Sequence, residues 1–247
     1  ILYRFKKMTL TIAKSKKYLN EKSLKKEFNK NGWVLCRNEI PKSLIKKIKK
    51  DWDFYFNAQI SLKANQAIKK IIKNNKKLLH QICINLSNSS SFLEVLKFVE
   101  KKYKHIFGQN EPIFCLDNSL LPGIPKDKRL VYNFHQESRY YKGSKNLLTA
   151  YFPIYFKSEV KNGSMSALNS SHSLGQISNT RKEGKKNGNK SFVPNKIEIF
   201  RKQFPEVIFE VNIGDILYFH ENLLHKSNFN STNNCRIVGQ LRCSQSF

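Results

Sequence analysis

The feature that most constrains this chain is a change of hydrophobic period near residue 112. Upstream, apolar residues recur at three- and four-residue intervals; downstream they come in short β-branched and aromatic runs split by turn residues. Ser23–Phe28, Pro41–Phe56 with its proline at the first turn, residues 64–84 and Ser91–Tyr103 read as amphipathic helices, with a polar break at Asn85–Ser91. Strands are expected over Ile113–Leu116, Arg129–His135, Asn146–Phe156, Glu206–Val211, Ile216–Phe219 and Arg236–Leu241. Many short strands imply a sandwich or barrel, here a mainly β fold with helical decoration. A chain of 247 residues suits one such domain, with a helical part over about 1–111 and a β core over about 112–247.

Composition narrows the partners. Hydrophobic residues make up 40% of the chain, with 18 Phe and 10 Tyr, enough for a substantial core and against wholesale disorder. Lys and Arg number 45 against 18 acidic residues, a net charge of +27 that raises nucleic acid as a partner. The lysines, however, are spread through Asn- and Ile-rich text such as Ala67–Leu78, the texture of solvated helix faces, so a small-molecule substrate is favoured over nucleic acid. Five cysteines without a Cys-x-x-Cys pair indicate neither a disulfide framework nor a zinc ribbon, and fit a reducing, cytoplasmic compartment. No run approaches the roughly 18 apolar residues of a membrane span. Ile1–Met8 is too short and interrupted for a signal peptide, and Met8 is the expected start. Residues 179–190, without an apolar side chain, are expected to form a mobile surface loop. Oligomeric state leaves no mark in the sequence.

The chemistry is carried by His135-Gln-Glu137 and, far downstream, His225. Residues i and i+2 of an extended segment share a face, so His135 and Glu137 can reach one ion together. His225 follows Val211-Asn-Ile-Gly-Asp-Ile-Leu-Tyr-Phe219, whose two apolar runs around Gly214-Asp215 read as a β-hairpin. Two imidazoles and one carboxylate on a single face of an octahedral ion leave three positions open, which suits Fe(II) binding a bidentate 2-oxoacid and then O2; zinc prefers a nearly closed tetrahedral set. Arg236, on the last apolar strand, can grip a distal carboxylate with two parallel hydrogen bonds, and Ser227 can add a hydroxyl. Thr149 and Tyr151, on an inward strand, either touch the cosubstrate or pack, and Tyr140 and Tyr141 are candidates for the mouth.

His135-Gln-Glu137, Asn162-Gly-Ser through His172-Ser-Leu-Gly175, Gly214-Asp215, His225-Lys-Ser227 and Arg236 resemble, in order, the marks of the phytanoyl-CoA dioxygenase-like family. Phe28-Asn-Lys-Asn-Gly-Trp-Val-Leu35 is similar to that family's N-terminal helix and strand, so the likeness covers roughly the whole chain. It implies a double-stranded β-helix (jelly-roll, cupin-like) core braced by N-terminal α-helices. It also implies an Fe(II)- and 2-oxoglutarate-dependent dioxygenase that uses O2, expected in this chain to hydroxylate an unactivated C–H bond of a small molecule or carrier-linked metabolite. The chain departs from the family twice: Glu137 stands where Asp is usual, and Ser170-Ser-His172 replaces a Gly-Ser-His turn. Because related halogenases leave the carboxylate position empty for chloride, Glu137 favours hydroxylation. Two other readings stay open: a nucleic-acid demethylase of the same chemistry, prompted by the charge and by the Arg236, Arg242 pair, and a non-catalytic β-barrel binding module. His172 reads as a turn-stabilising residue rather than a ligand, since three protein ligands already fill the facial set.

Overall fold

The computed structural model describes residues 11–14, 21–60, 64–74, 76–128, 131–182 and 191–245. In chain order the elements are β1 (Thr11–Lys14), α1 (Glu21–Asn31), β2 (Trp33–Cys36), α2 (Lys42–Ile60), α3 (Ala64–Asn74), α4 (Lys76–Ser87), α5 (Ser90–Leu93), α6 (Leu96–Phe107), β3 (Phe114–Gly123), β4 (Leu148–Tyr155), β5 (Met165–Leu168), β6 (Asn179–Lys182), β7 (Ser191–Pro194), α7 (Ile197–Gln203), β8 (Glu206–Glu210), β9 (Ile216–His220), β10 (His225–Ser227) and β11 (Arg236–Ser244).

Two sheets face each other. The larger has the order β2-β9-β4-β11-β3, antiparallel throughout, and the smaller has the order β1-β8-β5-β10. The sheets form an open jelly-roll sandwich rather than a closed barrel. Side-chain alternation assigns the two faces of the larger sheet. Val34, Cys36, Leu148, Ala150, Phe152, Ile216, Tyr218, Ile237 and Leu241 pack outward against the helices. Leu35, Tyr151, Leu217, Phe219 and Val238 point inward to meet Met165, Ala167, Val207 and Phe209 of the smaller sheet.

The helices close the outer face. Ile48, Trp52 and Phe56 of α2, and Val99, Tyr103 and Ile106 of α6, are buried, and Trp52 stacks on Tyr155 with ring centroids 5.7 Å apart. Each such side chain is worth about 1.5–3 kcal/mol on burial, whereas the exposed Lys104–Glu100 ion pair at 3.0 Å contributes under about 1 kcal/mol. Apolar packing therefore holds the helices in place. Their lysines, including Lys22, Lys25, Lys26, Lys42, Lys46 and Lys50, are exposed, as solvated faces require. Among the described residues no helix is long and apolar enough to cross a membrane.

Three sequence expectations are corrected. The runs around Gly214-Asp215 are not a hairpin, because β8 belongs to the smaller sheet and β9 to the larger, so the chain changes sheets at this turn. Gly214 takes φ +95°, and the Asp215 carboxylate accepts hydrogen bonds from the backbone N–H of Asn38 at 3.0 Å and of Asn212 at 3.2 Å. Such a turn satisfies the strand ends without pairing the strands to each other. The expected strand Arg129–His135 is not a strand over its described residues: 131–134 are irregular, and His135 makes only an isolated bridge. The expected loop 179–190 begins instead as β6, paired in register with β7 from Asn179↔Pro194 to Lys182↔Ser191. Residues 183–190, like Met8, lie outside the described residues.

The Ser170 position, where the resembled family has glycine, takes φ 66°. The cost of that left-handed backbone is offset by the Ser170 hydroxyl, which donates to the Lys30 carbonyl at 2.9 Å, and by its N–H, which donates to the Asn31 carbonyl at 2.9 Å. His172 then docks on α1, donating from Nε2 to the Asn29 carbonyl at 2.9 Å.

Glu221, just after β9, gives the fold a pH signature. Burial pushes its carboxyl up to about 6, and hydrogen bonds from Ser144 and the Leu147 backbone pull back only part of that rise. A carboxyl whose folded pKa exceeds its unfolded value binds more protons in the folded state, so stability falls as pH rises from about 4.5 to 6 and the full penalty persists above. Glu221→Gln is expected to match the wild type in stability at pH 4 and to exceed it at pH 8 by about 1 kcal/mol, discounted for partial exposure. Urea unfolding at the two pH values checks this.

Candidate metal centre

The site is assembled by backbone before any side chain contributes. His135 and His225 form an antiparallel bridge in which His135 N–H donates to the His225 carbonyl at 3.0 Å and His225 N–H donates back at 3.1 Å. The exchange fixes two segments distant in sequence side by side and brings the imidazole centroids to 4.2 Å. Each ring is turned by its own chain: His135 Nδ1 donates to the Asn133 carbonyl at 2.7 Å, and His225 Nδ1 donates to the Leu223 carbonyl at 2.9 Å. Because a carbonyl only accepts, both Nδ1 atoms carry a proton, and Nε2 is the ring atom that each histidine turns toward the cluster for a ligand role.

Gln136 is extended, with φ −121° and ψ 140°, so the i, i+2 rule holds across it and Glu137 joins the histidines as the first residue of a 3-10 turn. Ligand atoms of His135, Glu137 and His225 all lie within 4.8 Å of one another, and all three residues are buried. His225 Nε2 is 3.4 Å from Glu137 Oε1. Gln136 points away from the site and braces it, donating to the carbonyls of Gly175 at 2.8 Å and Asn222 at 2.7 Å and accepting from Ile177 N–H at 2.9 Å.

Electrostatics prepares this donor set for a cation. Burial holds His135 neutral, with its pKa down to about 3, and the neighbouring His225 adds to the effect. Burial alone would raise the Glu137 carboxyl, but the Arg242 guanidinium, followed by His225, outweighs it and holds the group well below the usual carboxylate range. Two imidazoles and an ionised carboxylate fit a divalent metal ion.

Arg242 is the residue that sequence reasoning undervalued. It grips Glu137 with two hydrogen bonds, Nε to Oε2 at 2.9 Å and Nη2 to Oε1 at 3.1 Å, while Nη1 reaches Asp117 and the Ser119 hydroxyl. Tyr141 donates to the same Asp117 carboxylate at 3.1 Å. The only signal in the text was its six-residue spacing from Arg236, which places both on the inward face of one strand.

Arg236 is also buried and inward-facing. Its Nε donates to the Asn162 carbonyl at 3.2 Å, Nη2 to the Gly163 carbonyl at 3.0 Å and Nη1 to the Tyr151 hydroxyl at 2.7 Å. Three of five guanidinium N–H donors are thus used to aim the group, and two remain. Gly163, at φ +81°, lies where a Cβ would meet the Asn228 carbonyl at 2.6 Å, which explains the Asn-Gly-Ser text at this position. His135, Glu137, His225, Arg236, Ser227, Tyr140, Tyr141 and Tyr151 all line one cavity of about 920 Å³. Thr149 does not line it; the side chain is fully buried on β4, between Phe219 and Arg242 on the neighbouring strands, and its Oγ1 has no hydrogen-bond partner. His172 lies apart from the ligand cluster.

Two facing sheets with a buried cluster of two histidines and one carboxylate between them define the class of non-haem iron, 2-oxoglutarate-dependent enzymes. Residues 28–238 match the model of the phytanoyl-CoA dioxygenase (PhyH) family, and the chain belongs to that family. Its enzymes use Fe(II), 2-oxoglutarate and O2. Solved structures with the same fold include the epimerase SnoN in complex with Fe3+, alpha ketoglutarate and nogalamycin RO, at 14% identity and TM-score 0.60 over 91% of this chain and 83% of that one. Another is AviO1 from Streptomyces viridochromogenes Tue57, at 13% identity and TM-score 0.58 over 93% and 96%. A third is the non-heme monooxygenase ThoJ, at 13% and TM-score 0.62 over 90% and 76%. No curated protein matches the sequence.

The Arg242 contact yields a test. Arg242→Gln strands an ionised, buried Glu137 and is expected to cost about 3 kcal/mol, much of it recovered in the Glu137→Gln, Arg242→Gln double variant. Denaturant unfolding of the four proteins in the cycle, without added metal, measures the coupling.

Proposed function

We propose that this protein is an Fe(II)- and 2-oxoglutarate-dependent dioxygenase that hydroxylates an unactivated C–H bond of a small molecule or carrier-linked metabolite. The observation that carries the reading is one cavity holding a buried His135, Glu137, His225 cluster together with an inward-aimed, only partly satisfied Arg236. In this reading the three clustered side chains hold the iron, and Arg236 binds the distal carboxylate of 2-oxoglutarate with Ser227 as a hydroxyl partner, while Thr149, outside the cavity lining and opposite Arg242, packs in the sheet instead. Iron, 2-oxoglutarate and O2 together supply the oxidising power for C–H cleavage, with succinate and CO2 as co-products.

The protein's own contribution is positional. The Asn133 and Leu223 carbonyls fix the imidazole tautomers, and Arg242 keeps Glu137 ionised and directed. Leu121, Met165 and Val238 give the cavity an apolar wall that limits water near the reacting centre. Glu137 is one methylene longer than the family's usual aspartate, and its double contact with Arg242 draws the carboxylate back and fixes its orientation. A carboxylate so placed supports hydroxylation over halide transfer.

The nucleic-acid reading loses part of its motive here. Arg242 spends its donors on Glu137, Asp117, Ser119 and Gln240, so it is committed inside the protein rather than offered to a phosphate.

Anaerobic addition of Fe(II) and 2-oxoglutarate is expected to give a visible charge-transfer band, and Fe(II) with ascorbate in air should release succinate slowly even without substrate. Arg236→Met removes a charge-assisted anchor and should raise the KM for 2-oxoglutarate by about 100-fold, the equivalent of roughly 3 kcal/mol. Succinate release against 2-oxoglutarate concentration reads the shift; an unchanged KM would remove Arg236 from the assignment.

A further inference from the structure

Cys115 and Cys243 are cross-strand partners, opposite each other in the antiparallel register of β3 and β11, at the bulge that follows Arg242. Opposed residues in such a pair have Cα atoms about 4.5–5.5 Å apart and side chains on the same face. That range falls within the roughly 4.4–6.8 Å that a disulfide requires. We propose that Cys115 and Cys243 form a thiol-modification site, in which hydrogen peroxide oxidises Cys115 and Cys243 resolves it to an intramolecular disulfide.

The two thiols are suited to different parts of that reaction. Cys115 is exposed, and Cys243 is buried directly behind it. The Cys243 thiol hydrogen-bonds to Cys115, which lowers the Cys115 pKa and raises that of Cys243. The more acidic sulfur is therefore also the one an oxidant can reach. Cys36, Cys83 and Cys235 are all buried, with burial pushing each up to about 12, and none shares this arrangement.

The chemistry balances without any group from the iron site. The Cys115 thiolate attacks one peroxide oxygen, the S–O bond forms as the O–O bond breaks, and the departing hydroxide takes up the Cys115 proton to leave as water. The Cys243 sulfur then attacks the sulfenic sulfur; the S–S bond forms, the S–O bond breaks, and hydroxide leaves with the Cys243 proton as a second water. Two thiols are oxidised by two electrons and one hydrogen peroxide is reduced. The product ties the edge strand β3 to β11 two residues before Asp117, where β3 begins to line the cavity.

The test uses the full chain with a chelator present, so that iron chemistry plays no part and the outcome is independent of the dioxygenase reading. With substoichiometric hydrogen peroxide, intact mass should fall by two hydrogens, free thiols should drop from five to three, and peptide mapping should place the cross-link at Cys115–Cys243, reversible by dithiothreitol. Cys115→Ser should abolish the loss, and Cys243→Ser should leave a dimedone-reactive sulfenic acid at Cys115. Over-oxidation of Cys115 to sulfinic acid in the wild type, a cross-linked dimer, or a bond to any other cysteine would overturn the proposal. The wild-type peptide map decides the matter even if Cys243→Ser does not fold.

Discussion

Everything at the site depends on the two-way backbone hydrogen bond between His135 and His225. A chain that is helical through its first part must bring a loop residue and the first residue of a three-residue strand into a common frame. One closely spaced antiparallel pair does this more rigidly than side-chain packing could. The rings then need only their Nδ1 bonds to be aimed, and Glu137 only one extended residue to follow. The sandwich behind them supplies rigidity: the inward alternation of β11 places Arg236, Val238, Gln240 and Arg242 in one row along the cavity.

Two arginines on that row differ in what they touch. Arg236 is held by backbone carbonyls and a tyrosine hydroxyl, an arrangement that orients it while leaving its charge unpaired by any carboxylate in the hydrogen bonds described. Arg242 is neutralised by Glu137 and Asp117. A buried arginine aimed into a cavity without a carboxylate partner is suited to binding an anion, whereas one already paired serves the geometry of its partner. The distinction rests on what each guanidinium touches, and spacing alone could not draw it.

That contrast shows how far the sequence could be read. The cluster of His135, Glu137 and His225 was legible because few side chains can bind metal and His-x-Glu places two of them on one face of any extended segment, whether or not that segment is a strand. The helices were legible from the period of residues such as Leu44, Ile45 and Ile48 against exposed lysines. Val211–Phe219 misled because two apolar runs around a Gly-Asp turn look alike whether the strands pair or part, and only the facing sheet decides. Residues 179–182 misled because a two-stranded ribbon is specified by backbone pairing as well as by apolar side chains. Arg242 was visible as a residue but not as the partner of Glu137, since that contact is set by strand register.

The most direct measurement is anomalous diffraction at the iron edge from crystals grown anaerobically with Fe(II) and 2-oxoglutarate. The account requires one iron bonded to His135 Nε2, a Glu137 carboxylate oxygen and His225 Nε2, with 2-oxoglutarate extending from the metal to Arg236. Iron bound elsewhere, or a fully formed protein with no iron between these three side chains, would contradict it.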